Sequence, residues 1–144
     1  MKEFNPPSHP RALVLGLFER AGRILVFEGR DPRRGLTFYR PIGGGIEFGE
    51  HSQAALVREV EEELGLAAEV GLLVGVLENI FEHQGKQGHE IVFVYYASFT
   101  DVTAYAGPVP FTDRPDGHAV WVPLADFLSG ARTLFPDGLT TLLS

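Results

Sequence analysis

The chain contains no cysteine, which excludes disulfides and thiolate metal sites and makes a cytosolic, cytoplasmic setting the simplest expectation. Long apolar runs are also missing. Nothing approaches the roughly 20 uninterrupted apolar residues that span a bilayer, so no membrane partner is expected. The opening "MKEFNPPSHPRALVLGLFER" departs from a signal peptide, because its apolar run begins late and continues into Glu19 and Arg20. Basic charge is scarce: 12 Lys and Arg against 19 Asp and Glu leave a net charge of -7. Such a surface repels polyanions, so no stable nucleic-acid complex is expected. A small phosphorylated ligand can still bind where a metal ion supplies local positive charge.

What is present suits one globular domain. The 144 residues are 44% hydrophobic and 22% charged, enough to bury a core. Residues 1–10 read as a Pro-rich tail and 11–144 as a single α/β domain with a mixed β-sheet. "RALVLGLFE" reads as a strand, with Leu13, Leu15 and Leu17 alternating against Val14 and Phe18. The Arg20-Ala21-Gly22 turn joins it to "RILVFEGR" as a hairpin. After the polar "DPRRG", the extended "LTFYRPI" leads into a glycine loop at Gly43-Gly44-Gly45. Residues His51 to Leu64 predict a helix with Val57, Val60 and Leu64 as its apolar stripe and Gly65 as its terminator. "AEVGLLVGVLENIFEHQ" predicts a long or bent strand with bulges at Gly71 and Gly75. "GKQG" is a turn before the strand "HEIVFVYYASF", and Pro108 to Gly117 is a loop. "HAVWVPL" is a short strand, and "PLADFLSG" and "DGLTTLLS" are short helices.

Glu59, Glu62 and Glu63 stand at i, i+3 and i+4, so the helix carries them on one face, away from the apolar stripe. Neighbouring carboxylates at these spacings destabilise an isolated helix by about 0.2–0.5 kcal/mol per pair, and Arg58 relieves part of that through Glu61 or Glu62. On its own this is an ordinary solvated acidic face. Glycines alongside change its meaning, because their backbone can approach a ligand closely. Glutamate oxygens and a glycine carbonyl are the ligands that a hard divalent cation takes. A phosphate loop is excluded, since Gly-Lys-Ser/Thr is missing and the glycines do not fit the dinucleotide fingerprint.

From Gly44 the chain reads Gly, five residues, Glu50, seven residues, then Arg58-Glu59-Val60-Glu61-Glu62-Glu63-Leu64-Gly65-Leu66. Every fixed position of G-x5-E-x7-R-E-U-x-E-E-x-G-U is matched, where U is aliphatic, and in this the chain resembles the Nudix hydrolase (MutT-like) family. The resemblance implies an α/β/α sandwich fold and hydrolysis of a nucleoside diphosphate linked to another moiety, with Mg²⁺ (or Mn²⁺) as cofactor. By position, Glu59, Glu62 and Glu63 would bind metal, with the Gly43 carbonyl and a supporting Glu50 completing the set. Arg58 would orient a glutamate through a charge-assisted hydrogen bond. Which glutamate acts as general base stays open. Glu63 holds a position given either a ligand or a base role. Glu90 is a second candidate for base or ligand, the alternative being an exposed residue beside the "GKQG" turn, and Glu82 is a weaker one.

Arg40, just before the glycines, is the candidate for a substrate phosphate. His83 and His89 flank one turn and read as surface residues. Phe38, Tyr39 and Phe81 can stack on a base or fill the core, and Trp121 reads as packing. One departure from many family members is Ile42, which separates Pro41 from Gly43. The competing function is a nucleotide-sensing module that keeps the fold without cleaving. The box does not name the substrate: nucleoside triphosphates, nucleotide sugars, ADP-ribose, dinucleoside polyphosphates and capped ends all fall within the implied range. A homodimer is left open.

Overall fold

Alternation along the first strand sets the layers of the molecule. In the computed structural model, which describes residues 4–144, strand β1 (Arg11–Arg20) buries Val14 and Phe18 on one side and Leu13, Leu15 and Leu17 on the other. A strand that is apolar on both faces must be covered on both. Val14 and Phe18 pack with Leu56, Val60 and Leu64 of helix α1 (Ser52–Leu64). The three leucines pack with Phe127 of α2 (Leu124–Leu128) and Leu139 of α3 (Leu139–Leu143). Helices on both faces of a sheet give the expected three layers.

The other strands are β2 (Arg23–Asp31), β3 (Leu36–Gly45), β4 (Ala68–His83), β5 (Lys86–Phe99), β6 (Val109–Pro110) and β7 (His118–Pro123), ordered β4-β5-β1-β3-β2-β7-β6. β1 and β5 run parallel, with Arg11 opposite Glu90, while the remaining pairings are antiparallel, so the sheet is mixed as predicted. β3 changes partner midway. Leu36 to Pro41 pair with β2, and Ile42 to Gly45 pair with β1.

Several expectations are corrected. Gly43-Gly44-Gly45 is the end of β3 and no loop. A Cβ on Gly43 would lie 1.9 Å from the Val14 carbonyl oxygen, so glycine is what lets the two backbones come this close. The core face of α1 is Ala55, Leu56, Val60 and Leu64, and Val57 is 37% exposed. Leu56 takes its place because β1 offers Gly16, where a Cβ would come within 3.2 Å of the Leu56 methyls. β5 starts at Lys86, three residues before the predicted start, because Gln84 and Gly85 (φ 52° and 75°) make a two-residue hairpin turn. The 108–117 segment contains β6, paired to Ala119 and His118, too short to leave a periodic pattern.

The irregularity expected in β4 is present, as register shifts between Val70 and Leu73 and between Leu73 and Gly75. Residues 1–3 of the expected tail lie outside the described residues. Phe4 is docked, its N–H donating to Gln84 Oε1 at 2.8 Å and its ring lying 5.1 Å from that of His83, while residues 7–10 are exposed. Among the described residues no helix is long and apolar enough to cross a membrane.

Candidate active site

Helix α1 is fixed at both ends. The Ser52 and Tyr95 hydroxyls lie 2.6 Å apart, tying its first turn to β5. At the other end Gly65 adopts φ 66° and its N–H donates to the Glu61 carbonyl at 2.9 Å, closing the helix. The next free carbonyls are capped from a distance. Thr112 donates its N–H to the Glu63 carbonyl at 2.8 Å and its hydroxyl to that of Glu62. The loop carrying Asp113 and Arg114 is thereby held against the acidic end of the helix.

Arg58 organises the acidic face. Its Nε donates to Glu50 Oε2 at 2.9 Å, and Nη2 donates to Glu50 Oε1 and the Gly45 carbonyl, both at 2.9 Å. Nη1 donates to Glu59 Oε1 at 3.0 Å and to Glu62 Oε2 at 3.3 Å. A guanidinium has five N–H groups, and all five are used. Its acidic hydrogen-bond partners are Glu50, Glu59 and Glu62, so of the two expected alternatives the contact is made to Glu62 and not to Glu61. Both Glu50 oxygens are committed, since Oε1 also accepts the Glu47 N–H at 3.1 Å. Those bonds, the Arg58 pair first, hold the Glu50 carboxyl down to about 2.

Glu59 rests on the glycine strand. A Cβ at Gly44 would lie 2.4–2.7 Å from the carboxylate atoms of Glu59, so that carboxylate occupies the space a side chain would fill. Glu63 is the outlier. Its Oε2 is buried with no hydrogen-bond partner, and burial, then the nearby Glu59 charge, push its carboxyl up to about 7. Arg114 pulls the other way, and Asp113 and Glu62 add to the rise.

With Glu59 and Glu62 turned toward Arg58, no group of three or more His, Asp or Glu stands converged as a metal site among the described residues. The residues nevertheless fit a divalent cation. A cradled carboxylate, an orphaned buried oxygen and a set of oxygen donors alone are what a hard ion requires.

Arg40 and Glu90 form a second group. Both line a cavity of about 260 Å³ with the rings of Phe38, Phe81 and Phe135, while Glu59, Glu62 and Glu63 lie outside its walls. Glu90 is 9% exposed, not the surface residue that its place near a turn suggested. Burial lowers the Arg40 pKa, with Glu90 working against that and Arg11 adding to it. Glu82 and His83 line the same cavity. His83 Nδ1 stands 3.9 Å from Asp31, and His89 Nε2 stands 3.0 Å from Glu78, so the two histidines serve different acids. Tyr39 is core, its hydroxyl accepting from Arg132 at 2.8 Å, and Trp121 packs with its Nε1 donating to the Gly107 carbonyl at 3.1 Å.

Sequence reasoning missed Asp113 and Arg114 beside Glu63, and Phe4 and Phe135 in the cavity wall. The polar "TDRPDG" was the only local signal for the first pair, and the second pair had none.

A family model described as NUDIX domain matches residues 7–141. The chain belongs to the Nudix family. It is 34% identical over 96 residues to an ADP-ribose pyrophosphatase of Methanocaldococcus jannaschii, covering 66% of this chain and 54% of that protein. It is 31% identical over 83 residues to a CTP pyrophosphohydrolase of Escherichia coli, covering 58% and 57%. The crystal structure of a MutT NUDIX hydrolase from Burkholderia pseudomallei matches with a TM-score of 0.68 and 29% identity, over 94% of this chain and 98% of that one. This Nudix chain spans about half the length of the sequence relatives that it matches.

Proposed function

We propose that this Nudix domain hydrolyses a diphosphate linkage in a small nucleoside diphosphate derivative, with Mg²⁺ or Mn²⁺ as cofactor. The observation that carries this reading is Glu63 Oε2, buried without a partner beside a Glu59 carboxylate seated over Gly44. Glu59 and Glu62, with the Gly43 carbonyl, would hold the ion, with Glu63 beside them. When bound, a divalent ion neutralises phosphate charge and lowers the pKa of water.

The chain's own residues do the rest. Arg58, locked bidentately by Glu50, keeps Glu59 in place, so Glu50 acts first by positioning Arg58. Glu63 is the general base in this reading, because its Oε2 is buried and free of hydrogen bonds and so has a lone pair open to a water proton. As the water oxygen bonds to phosphorus, the bond from phosphorus to the leaving phosphate oxygen breaks and the water proton passes to Glu63. Arg40 and the cavity beside it receive the nucleoside part. The likeness to an ADP-ribose pyrophosphatase and a CTP pyrophosphohydrolase supports a small nucleotide substrate, and the absence of cysteine accords with a cytoplasmic setting.

The test is a hydrolysis screen with Mg²⁺ over nucleoside triphosphates, nucleotide sugars, ADP-ribose and dinucleoside polyphosphates, with products identified. At least one class should be cleaved, and Glu62→Gln and Glu63→Gln should each lower turnover about 100-fold or more in a folded protein. Near-normal turnover in both variants overturns the assignment. Tight nucleotide binding without phosphate release would instead favour a sensing module.

A further inference from the structure

Two guanidinium groups stand at the carboxylate end of α1, and they are in different states. Arg58 has all five N–H groups bonded, to Glu50, Glu59, Glu62 and the Gly45 carbonyl. The Arg114 guanidinium donates no hydrogen bond among the described residues, and its one ion pair there, to Asp113, is loose at 3.8 Å. Its positive charge is felt at Glu63, yet it does not bond that carboxylate, whose Oε2 has no partner.

The position of Arg114 is built. The Phe111 N–H donates to the Gly117 carbonyl at 3.0 Å, closing the loop between β6 and β7 at its base. Thr112 ties that loop to the last turn of α1 through the Glu62 and Glu63 carbonyls. The guanidinium lies over the Phe111 ring, 4.4 Å from its centroid, with the Phe27 ring centroid 5.7 Å away. Those two rings meet edge to face, at 82°. Gly117 makes the room, since a Cβ there would lie 2.9 Å from the Phe111 ring and 3.2 Å from the Arg114 Cβ.

Stacking on a ring uses the flat face of a guanidinium and leaves its edge free. The N–H groups along that edge form a fork that matches two oxygens of a phosphate. A diphosphate that approaches Glu59, Glu62 and Glu63 needs positive charge there, and Arg58 has no donor left to give it. A guanidinium that served only to neutralise Glu63 would bond its carboxylate, and here Oε2 stays free.

We propose that Arg114 is a substrate-binding residue whose free edge takes two oxygens of a phosphate in the scissile diphosphate, with Phe111 as the platform that fixes its plane. This rests on the diphosphate reading of the site and adds to it a cation supplied by the β6–β7 loop.

The test is calorimetric binding of methylenediphosphonate to the full chain in the presence of Mg²⁺. Carbon bridges its two phosphorus atoms, so nothing turns over, and it carries no base, so the cavity beside Arg40 plays no part. Arg114→Met keeps an apolar stem on Phe111 and removes the fork. It should weaken binding about tenfold or more, as for the loss of a charge-assisted pair. Arg114→Lys keeps a point charge without a fork and should recover only part of that affinity. A purely structural role would appear in Tm and leave the affinity of the folded protein unchanged. Affinity within about twofold of the unmodified chain in folded Arg114→Met, full affinity in Arg114→Lys, or no binding to the unmodified chain at millimolar analogue overturns the proposal. Hydrolysis of a nucleotide by the unmodified chain, with analogue affinity undiminished in Arg114→Met, removes this inference alone. Analogue affinity lost in that variant, with no derivative hydrolysed by the unmodified chain, removes the catalytic reading and leaves a diphosphate site.

Discussion

Gly43 and Gly44 are adjacent in the chain and identical in chemistry, yet their absent Cβ atoms face different obstacles. At Gly43 the obstacle is the Val14 backbone at 1.9 Å, which cannot move without parting β1 from β3. At Gly44 it is the far end of the Glu59 side chain, which can swing away. Gly43→Ala should therefore cost stability, seen as a lowered Tm or loss of soluble protein. Gly44→Ala should leave Tm within a few degrees and reduce Mg²⁺-dependent turnover by displacing Glu59. Arg58 is a similar case. Lysine has three donors on one nitrogen and cannot serve five acceptors, so Arg58→Lys should lower both Tm and turnover.

Glu63 makes a prediction in pH. Its folded pKa of about 7 lies above the ordinary 4.5, so the folded state binds the proton more tightly than the unfolded chain. Its contribution to stability is complete below 4.5 and is lost as pH rises through about 7. Thermal melts of metal-free protein across that window should fall more steeply for the unmodified chain than for Glu63→Gln, and Mg²⁺ should recover part of the loss. Matching slopes would show that Glu63 is not desolvated in the way described.

Among the elements, α1 and its glycine terminator were legible because helix spacing and capping are local. Its rotation was less so. Val57 and Leu56 are one residue apart, and the gap at Gly16 on β1 is where Leu56 turns inward, alongside Ala55, Val60 and Leu64. Leu56→Ala should cost about 2–5 kcal/mol in a denaturant titration, as for a fully buried leucine. Val57→Ala should stay within about 1 kcal/mol. Comparable losses from both would contradict the observed helix phase. The hairpin turn lies at Gln84 and Gly85, one residue before the expected "GKQG", for another local reason: five polar residues and glycines in a row, Gln84 to Gly88, do not show which two of them take positive φ.

For the molecule as a whole, β1 was readable as a strand buried on both faces, and the layered arrangement follows from it. The carboxylate face of α1 was also readable, because Glu59, Glu62 and Glu63 sit within one helical turn. The joining of Arg40 to Glu90 was not. They belong to β3 and β5, and only the placement of β1 between those strands, with Phe135 folded back against Phe38, gives them a common cavity. The same holds for Thr112, whose bonds to helix carbonyls about fifty residues earlier bring Asp113 and Arg114 beside Glu63. Long-range placement of this kind depends on strand order, which a periodic pattern does not encode.

The most direct test of the account is the initial rate of hydrolysis of a cleaved nucleoside diphosphate derivative as Mg²⁺ is titrated, for the unmodified chain beside Glu63→Gln. The account predicts a rate that rises from near zero with Mg²⁺ and falls about 100-fold or more in the variant. A rate independent of the metal, or an undiminished rate in folded Glu63→Gln, would contradict it.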